Sequence, residues 1–280
     1  MRISSQQIFD SGLSSMQQHT AEVIDAQRQI STGQKYHRAS DSALAAGLGV
    51  QITFDRAQFD MYKVNQDHLN QTYANADTQL KSIFDSLASF QRTMVQAGNG
   101  TLSDQELKTL GAQARSLMTM VVQVVNSSDA NGQAIFRSTP ATNVEVAPQV
   151  DLANGITQSE FMTGAVDIAT LMTNVVNALD PLGSPPAAST RPTPAEMEAI
   201  DVALKQVTKA QVKVGLLQNR LDAATQFAES QKLNVETARS NLLDTDLAET
   251  TAQLAKSNAL LQAAQAIITK LDTNTLFQKL

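Results

Sequence analysis

The feature of the sequence that most constrains its fold is an apolar seam over residues 48–97. Counted in alternating steps of four and three, its positions are Leu48, Ile52, Asp55, Phe59, Tyr62, Gln66, Leu69, Tyr73, Ala76, Leu80, Ile83, Leu87, Phe90, Met94 and Ala97. Only Asp55 and Gln66 are polar, and a 3.5-residue period kept this long is typical of a helix packed in coiled-coil fashion. Such a helix would be roughly 75 Å long, so other helices must cover its seam.

Short polar and glycine-containing stretches mark the ends of the helices. Ser40 and Asp41 are predicted to cap the long helix at its start, and residues 98–100 (GNG) to end it. Ser103, with Glu106 three residues later, has the spacing of a capping box and predicts a further helix. The seam of that helix is Leu107, Leu110, Ala114, Leu117, Val121 and Val124.

The two ends of the chain are predicted to form weaker helices. In residues 8–30 one face carries Leu13, Met16, Val23 and Ile30, with Thr20 and Gln27 interrupting it. Near the other end a strong seam runs through Val207, Ala210, Val214, Leu217, Leu221, Ala224, Ala228, Gln231, Val235, Ala238 and Leu242. It shifts frame at Leu247 and continues through Leu254, Leu261, Ala264, Ile268 and Leu271, with Thr250 and Ser257 diluting it. The frame shift predicts a hinge or a change of partner.

The middle of the chain has a different pattern. Residues 144–147 and 149–152 alternate apolar and polar, which predicts two short strands, and Asn154-Gly155 is typical of a hairpin turn. Residues 165–179 are predicted as a short helix. Residues 180–194 hold five of the seven prolines and are predicted as a loop or linker.

These patterns predict a mainly α protein of long antiparallel helical rods, with a small α+β or β insert in the middle. We divide it into a terminal-helix domain (1–40 with 245–280), a helical bundle (41–137 with 195–244) and a small insert (138–194). The strong seams of the bundle can cover one another. The terminal helices lack such a partner, so we expect them to pack on each other and on neighbouring copies, becoming ordered on assembly.

Composition excludes several classes of function. The net charge is −6 with no basic block, so nucleic-acid binding is not expected. The chain has no cysteine, which rules out disulfides and thiolate metal sites. No apolar run approaches the ~20 residues of a membrane span, and residues 1–6 lack the apolar core of a signal peptide, so neither membrane insertion nor classical secretion is expected.

No group of side chains indicates an enzyme, a metal site or a cofactor site. His19, His37 and His68 lie far apart in the sequence, without a second ligand at a metal-binding spacing. Asp244, Asp246 and Glu249 have no histidine partner and are interpreted as helix-terminal charges at the frame shift. We therefore predict no catalytic, cofactor-binding or metal-binding residues.

Several sequence blocks resemble the flagellin superfamily and occur in the order that the family has. They are residues 29–33 (QISTG) with 38–47 (RASDSALAAG), 90–101 (FQRTMVQAGNGT), 244–249 (DTDLAE), 260–264 (LLQAA) and 276–280 (LFQKL). Within the superfamily, residues 1–7 (MRISSQQ), 126–136 (NSSDANGQAIF) and 214–221 (VGLLQNRL) are similar to the hook–filament junction branch. Arg137-Ser138 departs from that pattern, and the insert is short for the branch, so a divergent filament subunit is the alternative.

The resemblance implies a structural subunit of the bacterial flagellum with flagellin-like D0 and D1 domains and no enzymatic activity. Its implied partners are neighbouring copies in a ring, a hook-associated protein on the hook side, flagellin on the filament side and an export chaperone at the C-terminal helix. The implied location is the extracellular flagellum, reached without a cleaved signal peptide. Our candidate residues for the assembly interface are Leu13, Met16, Val23, Ile30, Leu254, Leu261, Ile268, Leu271, Leu276 and Phe277.

Overall fold

A computed structural model describes residues 5–181 and 188–277 of the chain. Within them lie α1 (Ser5–Thr32), α2 (Ala43–Ala97), α3 (Asp104–Val125), β1 (Asn143–Ala147), β2 (Val150–Ala153), α4 (Ser159–Met162), α5 (Ile168–Leu179), α6 (Pro194–Leu243) and α7 (Leu247–Phe277). The predicted class, long helices with a small insert containing β-structure, is confirmed. The predicted frame shift is also real, because α6 ends at Leu243 and α7 begins at Leu247.

The chain groups into two compact units. One contains Met1–Ala57 and Lys232–Leu280, and the other contains Gln58–Gln231. Both α2 and α6 have residues in each unit. The three domains predicted from the sequence have other boundaries, and that division stays a prediction.

The core of the second unit is the predicted seam of α2. From Leu69 to Ala97 each seam residue is fully buried. It packs with buried residues of α3 (Leu107, Ala114, Val121) and of α6 (Val207, Ala210, Val214, Leu217, Leu221, Ala224, Ala228). The sequence pattern therefore identified this part of the bundle core correctly, including the three-helix combination.

The prediction of a continuous core over residues 48–97 is wrong at its beginning. Leu48 is 45% exposed, and the next seam residues are only partly buried. Here α2 lies antiparallel to α6: a β-carbon built on Gly49 would be 3.6 Å from Leu243 Cδ1, and Arg56 forms a 2.6 Å ion pair with Glu236. A pair of helices buries a narrower stripe than a bundle, so part of the seam stays in solvent.

Local capping also differs from the prediction at two places. Ser42, not Ser40 or Asp41, caps α2, since its Oγ accepts from Ala45 N–H at 3.1 Å. Pro194 is the first residue of α6 instead of the last residue of the linker, and Thr193 and Glu196 form a capping box around it. Proline suits a first helical position because its missing N–H would have no partner there.

The two strands form an antiparallel hairpin whose turn lies at Pro148 and Gln149. Gln149 has φ 62°, and the register shifts between Glu145 and Ala147, which makes Val146 a bulged residue. The Asn154-Gly155 pair therefore follows β2, and its assignment to the hairpin turn is wrong. Gly155 has φ 94°, a conformation that glycine adopts easily, and the chain leaves the sheet there.

Polar side chains of α2 attach the hairpin to the bundle. Asn65 Nδ2 donates to the Glu145 carbonyl at 2.8 Å, and Gln66 Nε2 donates to the Val146 carbonyl at 2.6 Å. The hydroxyl of Tyr73 donates to the Ala153 carbonyl at 2.5 Å. Burial raises the pKa of Tyr73 to about 12, so this hydroxyl keeps its proton and remains a donor. The polar residue at seam position 66 thus satisfies a backbone carbonyl at the bulge.

The rest of the middle segment contributes to the same buried cluster. Phe161 of α4 packs edge-on against Phe136 with ring centroids 4.7 Å apart, and α5 buries Ile168 and Val175. Where α5 ends, Gly111 of α3 allows close approach: a β-carbon there would lie 2.6 Å from Asp180 Cβ. The segment is therefore packed on the bundle through apolar contacts as well as hydrogen bonds.

Candidate assembly interface

The terminal helices α1 and α7 pack against each other in antiparallel orientation. A β-carbon built on Gly12 would lie 3.3 Å from Ile268 Cγ1, and Ser257 Oγ donates to Glu22 Oε2 at 3.1 Å. The predicted contact between the two ends of the chain is thus present within a single molecule.

The face of α1 that packs on α7 shares Met16, Val23 and Ile30 with the predicted one, but its other positions are each one residue earlier. Its less exposed residues are Gly12, Met16, His19, Val23, Ala26 and Ile30. Leu13 is 39% exposed, and Thr20 and Gln27 are also exposed. Counting large apolar residues missed Gly12 and Ala26 because both are small, and small residues let two helices approach closely.

The face of α7 follows the predicted seam. Thr250 and Ser257 are buried, and Leu254, Leu261, Ala264 and Ile268 are partly buried. Leu247 is 54% exposed.

Six of the predicted interface residues on α1 and α7 are therefore fully or partly buried. These are Met16, Val23, Ile30, Leu254, Leu261 and Ile268. Leu13 faces solvent. The side chains of Leu271, Leu276 and Phe277 lie outside the described part of the structure. Contact of these ten residues with other copies stays a prediction.

A second set of apolar residues lies on the outside of the helix pair. Ile24 of α1 is 51% exposed, and Leu260 and Ile267 of α7 are 40% and 57% exposed. Sequence reasoning missed these positions because they fall outside the seam. In the sequence, each of these positions is marked only by a large apolar residue on an otherwise polar helix face.

The two breaks in the terminal region are joined by backbone hydrogen bonds. Lys35 N donates to the Leu243 carbonyl at 2.7 Å, and Thr245 N donates to the Gly33 carbonyl at 2.9 Å. Gly33 ends α1 with φ 69°, a conformation that glycine adopts easily. The break between α1 and α2 therefore holds the break between α6 and α7 in place.

One acidic residue at each break accepts hydrogen bonds from backbone N–H groups. Asp246 Oδ1 accepts from the N–H groups of Ala248 at 2.9 Å and Glu249 at 3.1 Å, which caps α7. At the first break Asp41 Oδ2 accepts from the N–H groups of His37 and Arg38, and these bonds lower the pKa of Asp41. The interpretation of Asp246 as a helix-terminal charge is confirmed.

A polar group lies near the centre of the α1–α7 pair. Glu22 Oε2 contacts His19 Nδ1 at 3.0 Å as well as Ser257, and Glu22 Oε1 accepts from Gln18 Nε2 at 3.2 Å. Hydrogen bonds lower the pKa of Glu22: the one with His19 has the largest effect, and those with Gln18 and Ser257 add to it. The carboxyl group is therefore ionised at neutral pH.

A cleft of about 650 Å³ opens beside this group, between α1, α7 and the end of α6. It is lined by acidic side chains, among them Asp25, Asp244 and Glu249, and by Lys35. Within the described ranges, no cluster of three or more histidine or carboxylate residues could hold a metal ion. Of the helices in these ranges, none has the length and apolar character that a bilayer crossing requires.

Comparison with known proteins identifies the family. The family described as the bacterial flagellin N-terminal helical region matches residues 3–141, and the bacterial flagellin C-terminal helical region matches residues 197–280. Flagellar hook-associated protein 3 of Salmonella typhimurium is 25% identical over 99% of both chains. A flagellin of Halalkalibacterium halodurans is 24% identical over 87% of this chain and 85% of its own.

A solved structure shares the fold. The crystal structure of flagellar hook-associated protein 3 from Legionella pneumophila superposes with a TM-score of 0.58 at 14% identity. It covers 69% of this chain and 99% of that chain. The motif blocks, the two family matches and the shared fold agree, and the chain belongs to the bacterial flagellin family.

Proposed function

We propose that this chain is a structural subunit of the bacterial flagellum that joins the hook to the filament. The observation that carries the proposal is the match to hook-associated protein 3 over 99% of both chains, against 87% of this chain for the flagellin. The junction-like blocks at residues 1–7, 126–136 and 214–221 support the same assignment.

The subunit would act by contact with neighbouring molecules and not by catalysis. Copies would form a ring, with a hook-associated protein on one side and flagellin on the other. Ile24, Leu260 and Ile267 are available on the outside of the terminal helix pair for such contacts. Fully burying one large aliphatic side chain contributes about 1.5–3 kcal/mol, so a few such positions favour assembly.

The proposed place of the protein is the extracellular part of the flagellum. It would be exported through the flagellar channel without a cleaved signal, with a chaperone bound to α7. A helix pair joined mainly along one seam supports this route, since it separates more easily than the buried core of the second unit.

Seeded polymerisation tests the proposal. Purified full-length chain is offered to fragments of hook and filament, and the products are followed by sedimentation and electron microscopy. We expect short caps that stop at the fragment ends. Soluble protein without any binding to either end would contradict the junction role.

A matched pair of variants separates interface contacts from general effects of charge. Ile267→Asp places a carboxylate on the proposed interface, whereas Val212→Asp places one on α6, where Val212 is 68% exposed. We expect Ile267→Asp to abolish capping and Val212→Asp to retain it. Equal capping by both variants would show that the outside of the terminal helix pair is not used.

The second candidate is a filament subunit, favoured by the similarity to flagellin. A filament subunit would grow from the same seeds into long filaments of its own. That result would replace the junction proposal.

A further inference from the structure

The α1–α7 seam contains a buried polar layer where an apolar one would pack more easily. Ser257 is fully buried, and its hydroxyl donates to Glu22 Oε2 at 3.1 Å. On either side of this layer α7 places Leu254 and Leu261 in the seam, and Val23 of α1 is buried next to Glu22. Ser257 is the buried member of this pair, and burying a polar group is unfavourable unless it has a hydrogen-bond partner.

A repeating seam alone leaves the alignment of two helices ambiguous. If α7 slides by one heptad along α1, its leucines stay in the seam, although Ile268 leaves its place against Gly12. The partner of Glu22 changes completely, because a slip of seven residues brings either Ala264 or Thr250 to the place of Ser257.

Neither replacement can donate a hydrogen bond to Glu22. The side chain of Ala264 has no donor, and the hydroxyl of Thr250 already donates to the Asp246 carbonyl of its own helix end at 2.7 Å. The Glu22 carboxylate would then lose its donor from α7 while remaining against the other helix. The carboxylate keeps its contacts with Gln18 and His19, so the slipped alignment is disfavoured by the loss of one hydrogen bond between the helices.

We infer that the Ser257–Glu22 hydrogen bond fixes the register of α1 against α7. In this role Ser257 and Glu22 are positioning residues, and they determine which exposed residues of α1 and α7 lie at the same level on the outer face of the pair. The inference concerns contacts within one chain and therefore stands independently of the proposed function.

The absence of cysteine from the sequence permits a direct test by disulfide trapping. One full-length chain carries Gly12→Cys, Leu261→Cys and Ile268→Cys, so that Cys at position 12 can pair with position 268 in the native register or 261 in a slipped one. The 3.3 Å approach of a Gly12 β-carbon to Ile268 Cγ1 places the native pair within disulfide range. A companion chain has the third cysteine at Thr275 for the opposite slip. Peptide mapping after mild oxidation gives the ratio of native to slipped cross-links.

We expect a strong excess of the native cross-link in the parent chain. Ser257→Ala should lower the native-to-slipped ratio roughly fivefold, the factor that one ordinary hydrogen bond corresponds to. Thr250→Ala is the matched control: Thr250 is also buried in the seam, but its hydroxyl bonds within its own helix end, so the ratio should not change.

Three results would overturn the inference. One is a parent chain without a native excess. Another is an unchanged ratio in Ser257→Ala, even if thermal unfolding shows that the variant is less stable, because Ser257 would then act on stability alone. The third is an equal fall in Thr250→Ala, which would mean that any loss of a seam hydroxyl loosens the register.

Discussion

Deleting a single hydroxyl, in Tyr73→Phe, tests how the hairpin is attached to the bundle. The Tyr73 hydroxyl donates to the Ala153 carbonyl at 2.5 Å, and the residue is fully buried. The same carbonyl also accepts from Gly155 N–H at 2.9 Å, so the deletion leaves it with one partner. The loss should therefore be that of one ordinary buried hydrogen bond, about 0.5–1.5 kcal/mol, and not the larger penalty of an unsatisfied carbonyl.

For a compact unit of this size, about 1 kcal/mol corresponds to a fall in Tm of roughly 2–4 °C. Thermal unfolding followed by circular dichroism measures this fall. Hydrogen exchange locates it, and we expect faster exchange at residues 150–155 with little change in α3. Tyr36→Phe is the control, since Tyr36 lies in the other unit and its ring lies near Lys35. If Tyr73→Phe changes neither Tm nor exchange at β2, the hydroxyl does not hold the hairpin and the reasoning fails.

Two further predictions concern local contacts of the second unit. Gly111→Ala should destabilise the protein by about 1–3 kcal/mol, because the new methyl group would lie 2.6 Å from Asp180 Cβ. Gly215→Ala has open space around it and should stabilise α6 by up to about 1 kcal/mol. Urea unfolding of both variants measures these changes in stability, and equal effects would contradict the prediction. The Asp104 carboxyl should titrate near pH 2, because hydrogen bonds from Lys108 and the Ser189 N–H lower its pKa from 3.8 to about 2. Since this pKa is lower in the folded state, the contribution of Asp104 to stability is present above about pH 4 and is lost as the pH falls through 2. Lys108→Met should raise the pKa toward 3.8, as measured by NMR, and an unchanged value would exclude the ion pair as its main cause.

The long seams could be predicted from the sequence because their signal is local and repeated many times. Residues 69–97 are buried as the heptad pattern predicts, and the interruption after Leu242 marks a real break between α6 and α7. In both places the periodicity of the local sequence indicates which residues are buried and where the helix ends, and the tertiary packing agrees with it.

The two polar positions in the α2 seam show where this reasoning ends. Asp55 and Gln66 interrupt the pattern equally, but Asp55 is partly exposed and Gln66 is buried with its amide on the Val146 carbonyl. The reason for the difference is a β-bulge that lies 80 residues later in the chain. A helix pattern carries no information about a carbonyl so far away in sequence.

Errors at the terminal helices have a related cause. The sequence pattern places Leu13 in the seam because a large apolar side chain is the usual seam residue. In the structure Gly12 faces α7, and the absence of a side chain allows Ile268 to approach.

The hairpin shows the same limit. Asn154-Gly155 is a strong turn signal, but the hairpin closes at Pro148 and Gln149, where the bulge at Val146 sets the register. Close approach and strand register depend on the partner element, which the local sequence does not specify.

The most direct measurement of the central claim is the position of the protein in intact flagella. Asn177 is exposed on α5, and since the sequence has no cysteine, Asn177→Cys creates a unique site for a fluorescent maleimide. The account predicts a single labelled spot where each filament meets its hook. Continuous labelling along the filament would show that the chain is a filament subunit and would contradict the account.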